Sequence, residues 1–251
     1  MEPSEHSGDK VSPKSWPFNA TTMLAILIIV AQVCISVGTY PFLPPMVPSH
    51  FDAAGNINGY MPKLVNALLY PGMSTALYLL LRFLMQAGPN LNYRSQRRAN
   101  KAVVNLIAVG ILLFLLLIQL LTTAYALGVK IDISLVVELA LSVLLIFLGN
   151  YMGKLRRNFW AGIRTPWTIA SDVVWERTHR LGGWLFVLVG LLGIISAFIP
   201  PLRVWGMFVP IIAVVVILYV YSYIIYQRYT VEGKEPLSPP FDGGHGTNEG
   251  E

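Results

Sequence analysis

Charge is what this chain lacks. Only 12% of its 251 residues are Asp, Glu, Lys or Arg, against roughly 25% in soluble domains. That shortage excludes a water-facing surface over most of the molecule. Cysteine is nearly absent: Cys34, the single cysteine, lies in an apolar run and cannot form an intrachain disulfide. A disulfide framework is excluded with it. Histidine is scarce, with 4 in the chain. No phosphate-cradling glycine loop, no nucleophile beside a base and no metal-ligand set is found. The chain therefore reads as a non-enzyme, with no cofactor expected.

What is there is apolar: 55% of the chain is hydrophobic. A membrane-spanning helix needs about 20 mostly apolar residues. Six segments qualify: Ala20–Tyr40, Leu64–Gln86, Ala102–Leu127, Ile131–Asn150, Gly183–Ile199 and Val204–Gln227. The fifth is short and needs neighbours or interfacial anchors to match a bilayer. Backbone polar groups in lipid must be satisfied internally, and no barrel-type alternation is present, so helices are expected. The fold class is an all-α integral membrane protein with six transmembrane helices. The first run is too long for the core of a signal peptide and lacks a cleavage pattern, so it is expected to be retained. Pro71 and Pro210 are expected to kink their helices. Gln32, Asn66, Asn105 and Gln119 are candidates to join helices by hydrogen bonds.

The bases set an orientation. With the N-terminus inside, all but Lys63, Lys130 and Arg203 of the 18 Lys and Arg fall on the inner side. Both termini are therefore expected in the cytoplasm. The formal charge of +5 follows from these loops and does not signal direct nucleic-acid binding. The expected organisation is a disordered tail (1–19), a helix pair with an outer loop (20–88), a basic inner loop and third helix (89–128), a C-terminal region (129–228) and a disordered acidic tail (229–251).

The outer loop, Pro41 to Lys63, contains Pro41, Pro44, Pro45, Pro48 and Pro62, which hold it extended. Asn58-Gly59 suits a tight turn with positive φ. Phe42, Phe51 and Tyr60 suit the bilayer boundary. The loop is either an outward-facing recognition lid or a rigid connector. His50 and Asp52 are two apart, but no further histidine or cysteine is near enough in sequence to complete a metal site.

The inner segment between the fourth and fifth runs, Gly149 to Gly183, concentrates Lys154, Arg156, Arg157, Arg164, Arg177 and Arg180. Tyr151, Phe159 and Trp160 are interleaved with the bases, a pattern that suits anionic head groups. Gly153 and Gly162 interrupt any helix. Thr165-Pro166-Trp167-Thr168 reads as a stiff turn. Ser171 then suits an N-cap, with Asp172 in the first turn. Val174 occupies the place of the Glu or Gln that would complete a capping box. Glu176 and Arg180 are four apart in the favourable order. Trp175 and His179 share a face, as do Arg177, Arg180 and Trp184. His179 lies near acids, yet without accompanying catalytic groups it reads as structural or interfacial. Glu138 sits within the fourth run, where a carboxylate is costly. It marks a cavity or proton path, or points to outer water.

Gly149-Asn150-Tyr151-Met152, Asn158, Gly162-Ile163-Arg164-Thr165-Pro166-Trp167-Thr168, Ser171, Val174-Trp175 and Thr178-His179-Arg180-Leu181-Gly182-Gly183 resemble the signature of the SdpI family of bacterial multi-pass membrane proteins. The outer loop, with Leu43-Pro44, Val47-Pro48-Ser49-His50-Phe51, Ala54-Gly55 and Gly59-Tyr60, resembles an uncharacterised domain that often precedes that region. The resemblance implies a bacterial plasma-membrane protein giving immunity to a membrane-active peptide toxin. In the founding member it also implies signalling, with an ArsR-type repressor held at the membrane. The expected partners are thus the lipid bilayer, a peptide toxin and such a repressor. The candidate partner- or ligand-binding residues are Asn150, Arg164, Thr165, Pro166, Trp167, Ser171, Trp175, Thr178, His179 and Arg180 inside. Outside they are His50, Phe51 and Gly55, with Glu138 in the span. A small transporter or exporter is the competing expectation, supported by Glu138 and the proline-bearing helices.

Overall fold

A computed structural model describes residues 20–52, 55–87, 94–158 and 160–231. Its helices are α1 (Ala20–Thr39), α2 (Lys63–Ala87), α3 (Arg94–Ala126), α4 (Ile133–Met152), α5 (Pro166–Ala170), α6 (Asp172–Ala197) and α7 (Arg203–Tyr226). All except α5 are long and apolar enough to cross a membrane. At about 1.5 Å per residue, the 20 residues of α1 already match the hydrocarbon thickness of about 30 Å. Large apolar side chains such as Leu27, Val37, Leu68 and Val215 point outward. Lipid solvates such faces; water would not tolerate so continuous a patch. The two tails expected to be disordered lie outside the described residues, except that the chain stays helical through a π turn at Gln227–Val231. Ala54 and Phe159 also lie outside them.

The helices pack in two groups. Ala25 and Ile28 of α1 meet Val109 and Leu112 of α3, with Tyr78 of α2 against them. Leu145 of α4, Val189 of α6, and Met207, Val214 and Leu218 of α7 form the second core. α4 and α6 are the most extensively packed pair. Glycine is required at their seam: a Cβ on Gly149 would stand 2.6 Å from the carbonyl oxygen of Gly183. The converse distance is 2.7 Å, and a Cβ on Gly190 would stand 2.6 Å from the carbonyl oxygen of Ser142. Small residues at seven-residue spacing on both helices thus allow backbone-to-backbone packing, the usual route to helix association in lipid.

The all-helical expectation needs one correction. Within the proline-rich loop from Pro41 to Lys63, β1 (Met46–Phe51) and β2 (Ile57–Pro62) form an antiparallel hairpin. The proline-rich chain is extended as expected, but it is paired. Asn58-Gly59 lies inside β2 rather than in the turn. The positive φ belongs to Gly55, at +86°, where Asp52 Oδ1 accepts the N–H of Asn56 at 2.8 Å. That Asx-type bond closes the turn before Asn58-Gly59 is reached.

Two helix starts also differ from the hydropathy reading. α3 begins at Arg94 and α6 at Asp172, so the short fifth apolar run belongs to a helix 26 residues long. Thr165 to Thr168 is not a bare turn but opens α5. Pro71 and Pro210 both sit inside helices. Of the expected polar joints between helices, Gln119 makes one: its Nε2 donates to the Gln32 carbonyl and to Ser36 Oγ, both at 2.9 Å. The side-chain amides of Gln32, and Asn66 Oδ1 and Asn105 Nδ2, are buried without a partner.

Candidate functional site

The basic segment Gly149 to Gly183 folds into a compact latch rather than a free loop. α4 ends at Gly153. The chain then turns back over the ends of α3, α6 and α7. Asn158 organises the turn: its Oδ1 accepts the N–H groups of Trp160 at 2.8 Å and Ala161 at 2.7 Å. Its Nδ2 donates to the carbonyls of Arg156 at 2.8 Å and Ala161 at 3.1 Å. Asn100 of α3 holds Arg156 from the other side, donating to its carbonyl at 3.1 Å and accepting its N–H at 2.8 Å. Val104 of α3, Leu155 of the latch and Trp175 of α6 share one core cluster. The latch therefore joins the two helix groups at one end.

His179 is the centre of this arrangement. Its ring is fully buried and stacks on Trp175 at 4.0 Å and 17°. The N–H of Ile163 donates to Nε2 at 2.9 Å. Nε2 is thus an acceptor, so Nδ1 carries the proton and donates to the Trp175 carbonyl at 2.9 Å. Both nitrogens are in use and the ring is neutral. Gly162 passes directly over it with φ +113°, and a Cβ there would stand 2.3 Å from Nε2. Only glycine allows both the backbone conformation and the approach. Trp175 in turn donates its Nε1–H to the Leu155 carbonyl at 2.8 Å.

The next residues fasten α5 to α7. Thr165 and Thr168 form a reciprocal capping box around Pro166. Thr165 Oγ1 donates to Ser222 Oγ of α7 at 3.0 Å. Trp167 meets Tyr219 and Tyr223 of α7, each with ring centroids 5.0 Å apart. Ser171 caps α6 as expected, its side chain accepting the Val174 N–H at 3.3 Å. Arg157 is buried and neutralised: its Nε lies 2.7 Å from Asp172 Oδ1, and its Nη1 donates to the Ile169 carbonyl at 2.9 Å.

The predicted inner residues thus divide by exposure. Thr165, Ser171, Trp175, Thr178 and His179 are buried, and all but Thr178, whose hydroxyl has no partner, make the bonds of the latch described above. Asn150, Arg164, Pro166 and Arg180 are exposed, with Trp167 half-buried. Lys154, Arg156 and Arg177 add further exposed bases, so a positively charged surface covers a buried neutral frame. Sequence reasoning did not single out Asn100, Arg157, Thr168 or Ser222 as site residues. The Arg157–Asp172 pair had no local spacing to reveal it. The Thr165-x-x-Thr168 spacing was the one available signal for the capping box.

At the opposite end, Asp132 caps α4, accepting the Leu135 N–H at 3.0 Å. It also pairs with Arg203 of α7 at 2.8 Å. Arg203 Nε donates to the Ala197 carbonyl at 2.8 Å, tying the ends of α4, α6 and α7 together. One turn and a half further along α4, Glu138 is buried against α6, where Ser196 Oγ donates to its Oε1 at 2.7 Å. It does not point to open water. The hairpin rests nearby. Phe51 packs edge-on against Tyr125 of α3 at 5.4 Å, so its ring faces protein. Gly55 lies over Ser134 at the start of α4. His50 Nδ1 is bonded to Asn58 Oδ1 across the hairpin. Among the described residues, no group of three or more His, Cys, Asp or Glu side chains is placed to hold a metal.

Six apolar helices, a capping hairpin at one end and a basic latch at the other define a multi-pass integral membrane protein. Residues 154–225 match the SdpI/YfhL protein family, and residues 27–75 match a domain of unknown function, DUF1648. The two matches lie along the chain in the order the two resemblances implied. It is 27% identical over 207 residues to Immunity protein SdpI of Bacillus subtilis (strain 168), a match covering 82% of this chain and 96% of that protein. No solved structure matches. The protein is a multi-pass protein of the bacterial membrane.

Proposed function

We propose that this chain is a membrane immunity and sensing protein that protects its cell from a membrane-active peptide toxin. The observation that carries the reading is the likeness to Immunity protein SdpI along 96% of that protein. The contact pattern supports a sensing role. The hairpin touches α3 through Phe51–Tyr125 and α4 beside Ser134. At the far end, Asn100 of α3 and Gly149 of α4 meet the latch and α6. A peptide that binds one arrangement of the hairpin more tightly shifts the equilibrium of whatever arrangement the latch takes with it. With both termini inside, as the basic residues favour, the exposed surface of Arg164, Pro166, Trp167 and Arg180 faces the cytosol. An ArsR-type repressor is the partner proposed for it. His50, Phe51 and Gly55 are proposed to belong to the toxin-facing side.

Catalysis has no part in this reading: His179 has both nitrogens engaged. Transport is a weaker alternative, resting on Glu138. The test is expression in a toxin-sensitive strain with survival counted after exposure to the peptide. Protection by the wild-type chain supports immunity. Membrane-inserted protein that leaves survival unchanged counts against it.

A further inference from the structure

We propose that the inner ends of α6 and α7 form a binding site for one anionic glycerophospholipid, with Arg177 and Arg180 on its phosphodiester and Trp184 and Tyr221 beside its glycerol and acyl chains. A cleft of about 640 Å³ lies here, with Glu176, Arg177, Arg180, Trp184 and Tyr221 in its lining. None of these five residues takes part in the hydrogen bonds of the latch described above. Arg177, Arg180 and Trp184 stand at i, i+3 and i+7 on α6, so they share one face. Trp184 is 73% exposed, and from Gly182-Gly183 onward the helix is apolar. The cleft thus straddles the level at which charge gives way to hydrocarbon, where amphipathic rings are favoured.

The chemistry of the lining selects the ligand. The Arg177 guanidinium lies 4.5 Å from the Tyr229 ring centroid. Stacking on a ring face orients the group and leaves its in-plane N–H donors for an anion. A planar donor fork suits phosphate oxygens. Glu176 on the same rim reduces the lining charge to a single positive unit. One phosphodiester balances that charge, and a second negative charge on the head group would gain no partner base in the lining. The proposal does not rest on the immunity reading, although it shares Arg180 with the surface named there, since it concerns how α6 and α7 are held at the bilayer.

The full-length protein, purified and titrated with phosphatidylglycerol or phosphatidylcholine, reports retained lipid by native mass spectrometry. The site predicts one tightly retained phosphatidylglycerol and much weaker retention of phosphatidylcholine. Arg177→Ala/Arg180→Ala should weaken phosphatidylglycerol retention about 30-fold, at roughly 1 kcal/mol per base. Trp184→Ala should weaken it less, and Lys101→Ala/Arg156→Ala, which removes exposed bases elsewhere, should leave it unchanged. All of these side chains are exposed, so the variants are expected to fold, and gel filtration checks this. Millimolar inorganic phosphate should not displace the lipid. Equal retention by the double arginine variant, equal retention of phosphatidylcholine, or displacement by inorganic phosphate would each overturn the proposal.

Discussion

Gly149 of α4 and Gly183 of α6 touch backbone to backbone, each leaving no room for a Cβ beside the other's carbonyl. This contact sets the distance between the two helices at the end where the latch closes over them. Gly149→Ala should therefore destabilise the fold by about 1–3 kcal/mol through overpacking against backbone, which cannot rotate away. Gly38→Ala is the control, because nothing lies within 4 Å of that position. Thermal unfolding in detergent should separate the two variants clearly.

Removal of the His179 ring strands the Ile163 N–H and opens a hole against Trp175. His179→Ala should cost about 2–4 kcal/mol from the unpaired donor and the cavity together. Limited proteolysis should then cut between Lys154 and Thr165 well before the helices unfold. If His179 acted as a partner-contacting residue instead, the variant would keep wild-type stability and protease resistance and lose only partner binding.

Much of this was legible from composition. Six apolar runs of spanning length became six helices, because lipid leaves no alternative to internal hydrogen bonding. The start of α6 was not legible. Its first turns mix exposed Glu176, Arg177 and Arg180 with buried Thr178 and His179, so average hydropathy falls while the helix continues. The hairpin was missed because prolines at Pro48 and Pro62 argue against sheet. A two-stranded ribbon tolerates them because each strand has an unpaired edge. The seven-residue spacing of Ser142 with Gly149 and of Gly183 with Gly190 was visible, but only the packing of α4 on α6 gave it meaning.

Glu138→Gln distinguishes immunity from transport. The glutamine can still accept the Ser196 hydroxyl, so the α4–α6 joint persists. Immunity predicts survival within a few-fold of wild type. A proton- or cation-coupled transporter predicts loss of flux in proteoliposomes and loss of protection together.

The Asp132–Arg203 joint gives a pH signature. The Asp132 carboxyl is held below its ordinary value, first by the Leu135 N–H; burial opposes this and Arg203 reinforces it. A depressed carboxylate stabilises the fold above its unfolded value, about 3.9, and that contribution disappears as pH falls through the folded value. Asp132→Asn keeps the cap and loses the charge. Its melting temperature should lie below that of wild type at pH 7, and the gap should begin to narrow below about pH 4 and close as pH falls through the depressed folded value. Since Asp132 is about half exposed, the gap should be small and should shrink with added salt.

The proposed inward signal depends on which side of the membrane carries the latch. In a Cys34→Ala background, Arg164→Cys and Tyr60→Cys offer one exposed thiol at each end. Labelling intact cells with a membrane-impermeant maleimide should mark Tyr60→Cys and leave Arg164→Cys unmarked until the membrane is opened. Labelling of Arg164→Cys in intact cells, with Tyr60→Cys protected, would put the basic latch outside and contradict the inward signal.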